Sequence, residues 1–280
     1  MIENQIWVDS IIQRALEEDM GAGDLTTDAI VSPDAIGKAV LESREEIILA
    51  GLYVFSEVFK KIDKGIEIEN FFEDGQNVPS GENICIVSGS LSAILKAERT
   101  ALIFIQRMSG IATLTKIYVD AAGPSKARIL DTRKTVPGLR LLDKYAVTMG
   151  GGSNHRLGLF DGILIKDNHI QAAGSVSKAV TLAKGKAPHT IKVEVEVEDL
   201  SGVEEAIQAG ADMILLDNMK PEMMKKAVEI ANGKIMLEAS GGITLNNIAA
   251  VAQSGVDLIS IGALTHSVRA VDLSLEIIEA

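Results

Sequence analysis

From residue 128 onward, short apolar segments alternate with longer segments that have helical periodicity. The apolar segments read as strands, and they span residues 127–131, 162–166, 191–197, 212–217, 234–239 and 257–262. Most of the helical segments between them end in glycine, as helix carboxyl termini prefer. Strand, helix and strand recur at intervals of about 20 to 35 residues, which predicts right-handed βαβ crossovers and a parallel sheet.

The number of predicted strands limits the possible folds. Six strands are fewer than the eight of a closed barrel, so this part of the chain predicts an incomplete, open α/β barrel. A doubly wound open sheet is the alternative, and the lack of a GxGxxG turn argues against a dinucleotide-binding version of it. We therefore expect an α/β protein whose barrel domain spans residues 111–280.

The first part of the chain has a different pattern. A helical segment ends at Gly21, and short alternating strands separated by turns follow it. This pattern predicts an N-terminal α+β sandwich domain at residues 1–110. Segment 91–122 predicts a long helix that breaks near Ser109 and Gly110. We also expect a C-terminal helix that contacts the N-terminal domain.

Composition excludes several classes of partner. The net charge is −12 and the pI is near 4.9, which argues against binding to nucleic acid or to an anionic membrane. No segment has the length of a membrane span, and the amino terminus lacks the cationic start and apolar core of a signal peptide. The single cysteine, Cys85, excludes an internal disulfide and a cysteine-based zinc site. We expect a soluble cytoplasmic protein.

Segment 128–169 reverses the charge balance of the chain. It holds seven arginines and lysines against four aspartates, together with several glycines and two histidines. Because a guanidinium matches the geometry of carboxylate and phosphate groups, this segment predicts a pocket for a small, multiply anionic ligand. The alternative is a solvated charged surface.

Polar residues also follow the predicted strands. They are Asp131 to Lys134, Lys166 to His169, Glu196, Asp217 with Asn218, Ser240 to Gly242, and Gly262 with Ala263. In a parallel barrel the active site is assembled from the loops at the carboxyl ends of the strands, so these residues should converge. The glycines of the last two loops predict a phosphate cradle, although they could serve only tight turns.

Two carboxylates stand at strand ends between the cationic segment and the glycines. Glu196 and Asp217 suit sugar hydroxyls, a Mg²⁺ ion carried by a pyrophosphate, or a developing positive charge at an anomeric carbon. Pairing with a neighbouring lysine is the alternative. Glu194 and Glu198 share a face with Glu196, so only its place at the strand end favours Glu196.

Several segments resemble the quinolinate phosphoribosyltransferase family, also called nicotinate-nucleotide pyrophosphorylase (carboxylating). They are LDTRKTVPGLRLLDKYAVTMGGGSNHRLGLFDGILIKDNH, ERTALIFIQRMSGIAT, VEVEVEDL, ILLDN, LEASGGI and IGALTHS. The resemblance covers nearly the whole chain. It implies the transfer of phosphoribose from phosphoribosyl pyrophosphate to quinolinate with decarboxylation, which gives nicotinate mononucleotide, pyrophosphate and CO₂ in NAD biosynthesis.

The resemblance also implies cofactors, partners and residue roles. Mg²⁺ is expected mainly through the pyrophosphate, near Glu196 and Asp217, with no organic cofactor. A homodimer is expected, in which Arg99 crosses the interface; by local pattern alone Arg99 could be an ordinary surface arginine. The implied quinolinate-binding residues are Arg99, Thr132, Arg133, Lys134, His155, Arg156 and Lys166. The implied ribose- and phosphate-binding residues are Glu196, Asp217, Ser240, Gly241, Gly242, Ile261, Gly262, Ala263 and His266. Catalytic roles are expected for Lys134, Lys166, Glu196 and Asp217.

Some features leave alternatives open. Ile103 and Ala239 stand where many members of the family have asparagine and serine. Lys166, at a strand end, could be the nucleophile of a Schiff-base aldolase. A non-catalytic sensor of a phosphorylated ligand, and a molybdenum-associated paralogue of the same superfamily, are further candidates.

Overall fold

The computed structural model describes residues 5–279, so residues 1–4 and 280 of the predicted domain ranges lie outside the described residues. The strands are β1 (Ile36–Ser43), β2 (Ile47–Ile48), β3 (Glu67–Asn70), β4 (Asn77–Val78), β5 (Asn83–Ser90), β6 (Arg128–Leu130), β7 (Ile163–Ile165), β8 (Val193–Val197), β9 (Met213–Asp217), β10 (Met236–Ser240), β11 (Leu258–Ser260) and β12 (Leu273–Glu279). The helices are α1 (Gln5–Met20), α2 (Leu25–Ile30), α3 (Leu52–Ile62), α4 (Leu91–Ala121), α5 (Arg140–Met149), α6 (Asp167–Ala173), α7 (Val176–Lys186), α8 (Leu200–Gln208), α9 (Pro221–Ala231), α10 (Ile248–Gln253) and α11 (Ala263–His266).

The chain divides into two compact units, and neither is continuous in sequence. The first unit contains Met1–Lys116, Thr135–Gly151 and Leu264–Ala280. The second unit contains Ile117–Lys134 and Gly152–Ala263. The first unit therefore includes segments from both sides of residue 110, whereas the division predicted from the sequence was continuous.

The first unit contains an antiparallel sheet with the strand order β12-β1-β5-β3. The expected C-terminal helix is wrong, because this segment is strand β12, which pairs antiparallel with β1. Leu273 and Leu275 are buried and alternate with the more exposed Ser274 and Glu276. That period of two suits a strand with one covered face, and the pairing with β1 satisfies its backbone groups.

Helix α3 supplies much of the apolar core of the first unit. Phe55 and Phe59, one turn apart, are fully buried, and their rings meet edge to face at a centroid distance of 5.0 Å. Burial of each such side chain contributes about 1.5–3 kcal/mol. The single cysteine, Cys85, is also buried, on strand β5.

Helix α4 is continuous, so the predicted break near Ser109 and Gly110 is wrong. The Ser109 hydroxyl accepts a hydrogen bond from the backbone N–H of Ala50 and also lies 3.2 Å from the Ala50 carbonyl oxygen. At Gly110 a Cβ atom would lie 2.3 Å from the carbonyl oxygen of Arg269. Both residues are therefore explained by close backbone contacts. None of the described helices, α4 included, is long and apolar enough to cross a membrane.

The second unit contains a six-stranded parallel sheet with the order β6-β11-β10-β9-β8-β7. The six strands predicted from the sequence are confirmed, as is the open α/β barrel. The register pairs Ser240 with Asp217, so the carboxyl ends of β10 and β9 are level. Side chains that follow these strands are thereby brought to the same edge of the sheet.

Strand β8 shows how this sheet is covered on both faces. Val193, Val195 and Val197 are buried, and they alternate with Glu194 and Glu196. Since successive side chains point to opposite faces, the two glutamates share one face of the strand and the valines occupy the other. The two acidic side chains are therefore held at different depths along the same side of the sheet.

Candidate active site

A pocket of about 620 Å³ lies in the second unit at the carboxyl ends of its strands. It is lined by Thr132, Arg133, Lys134, His155, Arg156, Leu164, Lys166, Glu196, Leu215, Asp217, Asn218, Glu238, Ser240, Gly241, Gly242 and Ser260. The predicted convergence of the strand ends is visible here, because residues from all six strands or the segments directly after them contribute. The functional roles of these residues remain predictions.

Arginine and lysine side chains form the cationic side of the pocket. The Thr132 hydroxyl accepts a hydrogen bond from the backbone N–H of Lys134 at 3.0 Å, which shapes the turn after β6. The Arg156 guanidinium donates to the Gly162 carbonyl oxygen at 2.8 Å. Burial lowers the pKa of Arg156, and the charge of Arg133 lowers it further. A bound anion between these groups would relieve that repulsion.

An ion pair joins the ends of β7 and β8. Lys166 Nζ lies 2.5 Å from Glu196 Oε2, and the lysine side chain is 47% exposed whereas the glutamate side chain is 12% exposed. His169 Nδ1 accepts the backbone N–H of Lys166 at 2.9 Å, which begins helix α6, an element that the sequence analysis missed. Lys166 Nζ is thus engaged by a carboxylate at the strand ends.

Asp217 and the glycines lie at the ends of β9 and β10. The Asn218 amide donates to Asp217 Oδ2 at 2.7 Å, and Asn218 has a positive φ of 53°. A Cβ atom at Gly241 would lie 2.3 Å from Asn218 Oδ1, and Gly241 also has a positive φ of 83°. Only glycine fits this turn without displacement of Asn218. The backbone of Gly241 and Gly242 is therefore accessible from the pocket, as a phosphate site requires.

Other predicted residues are not among those that line the pocket. Ile261, Gly262 and Ala263 directly follow Ser260, which does line it. His266 belongs to the first unit, is exposed, and has its Nδ1 atom 2.6 Å from the Ser267 hydroxyl. Arg99 is exposed on helix α4 of the first unit. The roles assigned to these five residues stay predictions.

His155 is more buried than Lys134 and Lys166, and protein groups contact both its backbone N–H and its ring nitrogens. Asp131 accepts the His155 backbone N–H at 2.8 Å, and His155 Nδ1 accepts the Arg156 backbone N–H at 2.7 Å. His155 Nε2 lies 3.3 Å from Glu194 Oε2 and 3.6 Å from Glu238 Oε2. Both ring nitrogens thus face protein groups, so any contact of His155 with quinolinate would use the ring edge.

His155, Glu194 and Glu238 have the spacing of a metal site, since their ligand atoms all lie within 4.8 Å of one another. The ring tautomer argues against this use. Because Nδ1 accepts a hydrogen bond, the ring proton of neutral His155 resides on Nε2, which then has no lone pair for a cation. Glu196 and Asp217, with oxygen ligands facing the pocket, suit Mg²⁺ better.

The sequence analysis missed the deeper residues of the pocket. Glu238 and Ser260 were not singled out, nor were the apolar Leu164 and Leu215. Glu238 did carry a signal in the sequence, because it is a glutamate between Leu237 and Ala239 in an apolar predicted strand, and the structure shows that it is fully buried. An ionisable residue at such a position is costly unless it has a partner or a function.

Fold and site together define an open α/β-barrel protein with a pocket at its strand ends that contains cationic side chains and a glycine turn. Two family models match the chain: "Quinolinate phosphoribosyl transferase, N-terminal domain" over residues 24–109, and the corresponding C-terminal domain over residues 111–276. The chain belongs to the quinolinate phosphoribosyltransferase family.

Individual relatives agree with this membership. A Bacillus subtilis protein named probable nicotinate-nucleotide pyrophosphorylase [carboxylating] is 42% identical over 98% of this chain and 94% of its own length. The structure of the nicotinate-nucleotide pyrophosphorylase from Francisella tularensis has a TM-score of 0.94 and 46% identity, and covers 98% of this chain and 97% of that one. The NadC structure from Streptococcus pyogenes has a TM-score of 0.96 and 41% identity, with coverage of 99% and 98%.

Proposed function

We propose that this chain transfers phosphoribose from phosphoribosyl pyrophosphate to the ring nitrogen of quinolinate and removes one carboxylate as CO₂. The products are nicotinate mononucleotide and pyrophosphate, and the step belongs to NAD biosynthesis. One observation carries the proposal: in a member of this family, a single pocket gathers cationic residues, three carboxylate residues and a glycine turn. The names of the relatives agree with the decarboxylating reaction.

The cationic side of the pocket suits the two carboxylates of quinolinate. Arg133, Lys134, Arg156 and Lys166 offer charged donors, and Thr132 fixes the turn that presents them. Two adjacent ring carboxylates need several fixed cations, and hydrogen bonds to charged groups contribute about 1.5–3 kcal/mol each. Lys134 and Lys166 are proposed to stabilise the carboxylate charge as it redistributes during the reaction.

The opposite side of the pocket suits the sugar phosphate. Glu196 and Asp217 are proposed to stabilise the positive charge that develops at the ribose anomeric carbon as pyrophosphate departs. Ser240, Gly241 and Gly242 are proposed to bind the 5′-phosphate, together with Ile261, Gly262, Ala263 and His266. The ring nitrogen, held in line by the cationic side, then attacks that carbon.

Magnesium is proposed as the only cofactor, bound mainly through the pyrophosphate. When present, it would neutralise the charge of the leaving group. The carboxylate oxygens of Glu196 and Asp217 are the ligand type that Mg²⁺ prefers, and both residues line the pocket. Once the ring nitrogen is quaternised, the pyridinium can accept the electrons of the carbon–carboxylate bond, so no organic cofactor is needed.

A cytoplasmic homodimer is also proposed, with Arg99 of each subunit reaching the site of the other. The exposed position of Arg99 on α4 and the family membership support this proposal. Mixed dimers test this proposal: an Arg99→Ala subunit combined with a Lys134→Ala subunit should regain about a quarter to a half of normal activity, since one site per dimer would be intact. Mixtures as inactive as the parent variants would contradict it.

A coupled assay tests the function itself. The purified chain should release equimolar CO₂ and pyrophosphate from quinolinate and phosphoribosyl pyrophosphate in the presence of Mg²⁺, and nicotinate should not substitute for quinolinate. Failure to use quinolinate would favour the molybdenum-associated paralogue. Borohydride inactivation in the presence of a keto substrate would favour an aldolase that uses Lys166.

A further inference from the structure

A buried cluster of two carboxylates and one imidazole lies beneath the cationic side of the pocket. Glu238 on β10 has no exposed surface, and Glu194 on β8 is 5% exposed. Neither side-chain oxygen of Glu238 has a hydrogen-bond partner among the residues that the structure describes, and Oε1 of Glu194 also lacks one. An ionised carboxylate without a partner is costly in such surroundings.

The positions of the protons in the cluster indicate that one of its two carboxyl groups is protonated. His155 Nδ1 accepts the Arg156 N–H, so a neutral ring has its one proton on Nε2. That single N–H faces both carboxylates, at 3.3 Å from Glu194 Oε2 and 3.6 Å from Glu238 Oε2. Two ionised carboxylates this close would repel each other, as in other buried carboxyl pairs. One of them therefore holds a proton.

Glu238 is the more deeply buried of the two and lies farther from His155 Nε2. The groups that face it are Glu194 from β8, the Ser260 hydroxyl from β11, and His155 and Asp131 from the segments beside β6. Burial, followed by the charge of Glu194, raises the pKa of Glu238. The proton of the cluster is thus assigned to Glu238.

Glu238 borders two cavities, and its carboxyl oxygens, which are covered, become reachable only when a side chain beside them moves. Glu238 lines the 620 Å³ pocket together with Arg133 and Lys166. It also lines a second cavity of about 300 Å³, which is bordered by the first residues of several strands, among them Arg128, Met213 and Leu258. Glu238 therefore separates the strand-end pocket from a cavity toward the opposite ends of the strands.

We propose that Glu238 donates the proton that replaces the departing carboxylate at ring carbon 2. This inference rests on the proposed function, because only a decarboxylation creates the need for that proton. The bond between carbon 2 and the carboxylate breaks, CO₂ leaves, and the electron pair remains on carbon 2. A new C–H bond then forms as the Glu238 O–H bond breaks. Glu238 becomes a carboxylate and regains a proton from water that enters through the second cavity.

Single-turnover reactions test the proposal, because pyrophosphate reports the transfer and CO₂ reports the decarboxylation. Glu238→Gln keeps the volume of the side chain and removes the acid. This variant should release pyrophosphate at nearly the normal rate, yield nicotinate mononucleotide about 100-fold more slowly or worse, and accumulate the dicarboxylate mononucleotide. Normal nicotinate mononucleotide formation by this variant would overturn the proposal and leave the proposed function intact. Absence of pyrophosphate release by the unmodified protein would overturn both.

The pH dependence separates proton donation from a merely structural role. In the unmodified protein the rate of nicotinate mononucleotide formation should fall at alkaline pH, as Glu238 ionises. Glu194→Gln removes the neighbouring negative charge, so this fall should move to lower pH, and Glu238→Gln should not show it. The proposal would be overturned if the rate of the unmodified protein did not fall at alkaline pH. It would also be overturned if Glu194→Gln left the pH of that fall unchanged.

Two further variants distinguish loss of the proton donor from loss of the fold. Circular dichroism should show that each variant has the normal secondary structure. If Glu238→Gln does not fold, Glu238→Asp, which keeps an acid on a shorter side chain, should retain an alkaline fall and part of the rate; a Glu238→Asp protein without that fall would overturn the proposal. Glu198→Gln, on the same strand face as Glu194 but exposed, is the matched control and should match the unmodified protein.

Discussion

Glu194 and Glu196 are two residues apart on β8 and share one face, yet their surroundings differ. Glu196 lines the pocket and pairs with Lys166 at the strand ends, whereas Glu194 is buried beside His155. Glu196 can contact a ligand in the pocket, whereas Glu194 contacts His155. Depth along the strand, rather than residue type, therefore separates a carboxylate proposed to face the substrate from one proposed to act through Glu238.

We call Arg133, Lys166, Glu196 and Asp217, at the strand ends, the shallow layer, and the buried cluster of His155, Glu194 and Glu238 the deep layer. The largest expected effect comes from the shallow layer. Glu196→Gln removes the charge proposed to stabilise the developing cation at the ribose, so kcat should fall about 100- to 1000-fold. The free energy of unfolding should change by less than about 1 kcal/mol, because the ion pair with Lys166 is partly exposed. Steady-state kinetics and urea unfolding measure the two quantities. A normal kcat would remove Glu196 from the mechanism.

Arg133 tests the cationic side of the same layer. Arg133→Ala should raise the KM for quinolinate about 10- to 100-fold, since it loses hydrogen bonds to a carboxylate worth about 1.5–3 kcal/mol. The KM for phosphoribosyl pyrophosphate should change little. Arg133→Lys is the control and should recover only part of the loss, because an ammonium does not bind a carboxylate bidentately. An equal rise in both KM values would contradict the assignment of Arg133 to the diacid.

The deep layer should respond through stability. His155→Ala removes the N–H that faces Glu194 and Glu238, and this should lower the free energy of unfolding by about 1–3 kcal/mol. His155→Gln, which retains a side-chain N–H donor, should lose less. Urea unfolding near neutral pH compares the two variants. Equal losses would mean that the volume of the ring, rather than its N–H, stabilises the cluster.

Stability should also depend on pH through Glu238. Its pKa is raised above the ordinary value of 4.5 in the folded protein, chiefly by burial, so the folded chain holds a proton that the unfolded chain has lost. The stability contributed by that protonated group therefore falls as pH rises above about 4.5 and continues to fall until the raised pKa is passed. Glu238→Gln should not show this decline. Urea unfolding between about pH 5 and 8 should show the two proteins diverging, with the variant favoured at higher pH; parallel curves would refute the assignment.

Glu198→Gln should have the smallest effect. Glu198 shares the strand face of Glu194 and Glu196 but lies beyond the end of β8 and is exposed. Its replacement should change the free energy of unfolding by less than about 0.5 kcal/mol and leave kcat unchanged. Steady-state kinetics and urea unfolding measure both quantities. A larger change in either would show that position along β8 does not determine the effect of replacing a glutamate.

The sequence predicted the shallow layer better than the deep one. Runs of apolar residues bounded by glycine marked the strands of the barrel, and position at a strand end was enough to find Arg133, Lys166, Glu196 and Asp217. Glu238 was missed because its closeness to His155 depends on how strands distant in sequence align, which no local pattern shows.

Two errors in the first unit have the same origin. A C-terminal helix was expected, whereas pairing with β1, more than 200 residues away, makes residues 273–279 a strand. Ser109 and Gly110 read as a helix break, although contacts with Ala50 and Arg269 explain them within a continuous α4. Long-range contacts overrode local propensity in both cases.

A crystal structure of the protein with quinolinate and an unreactive analogue of phosphoribosyl pyrophosphate would test the account most directly. We predict both ring carboxylates against Arg133 and Lys166, the 5′-phosphate on Gly241 and Gly242, and ring carbon 2 facing Glu238. Quinolinate bound elsewhere, or a phosphate on the cationic side with the diacid at the glycines, would contradict it.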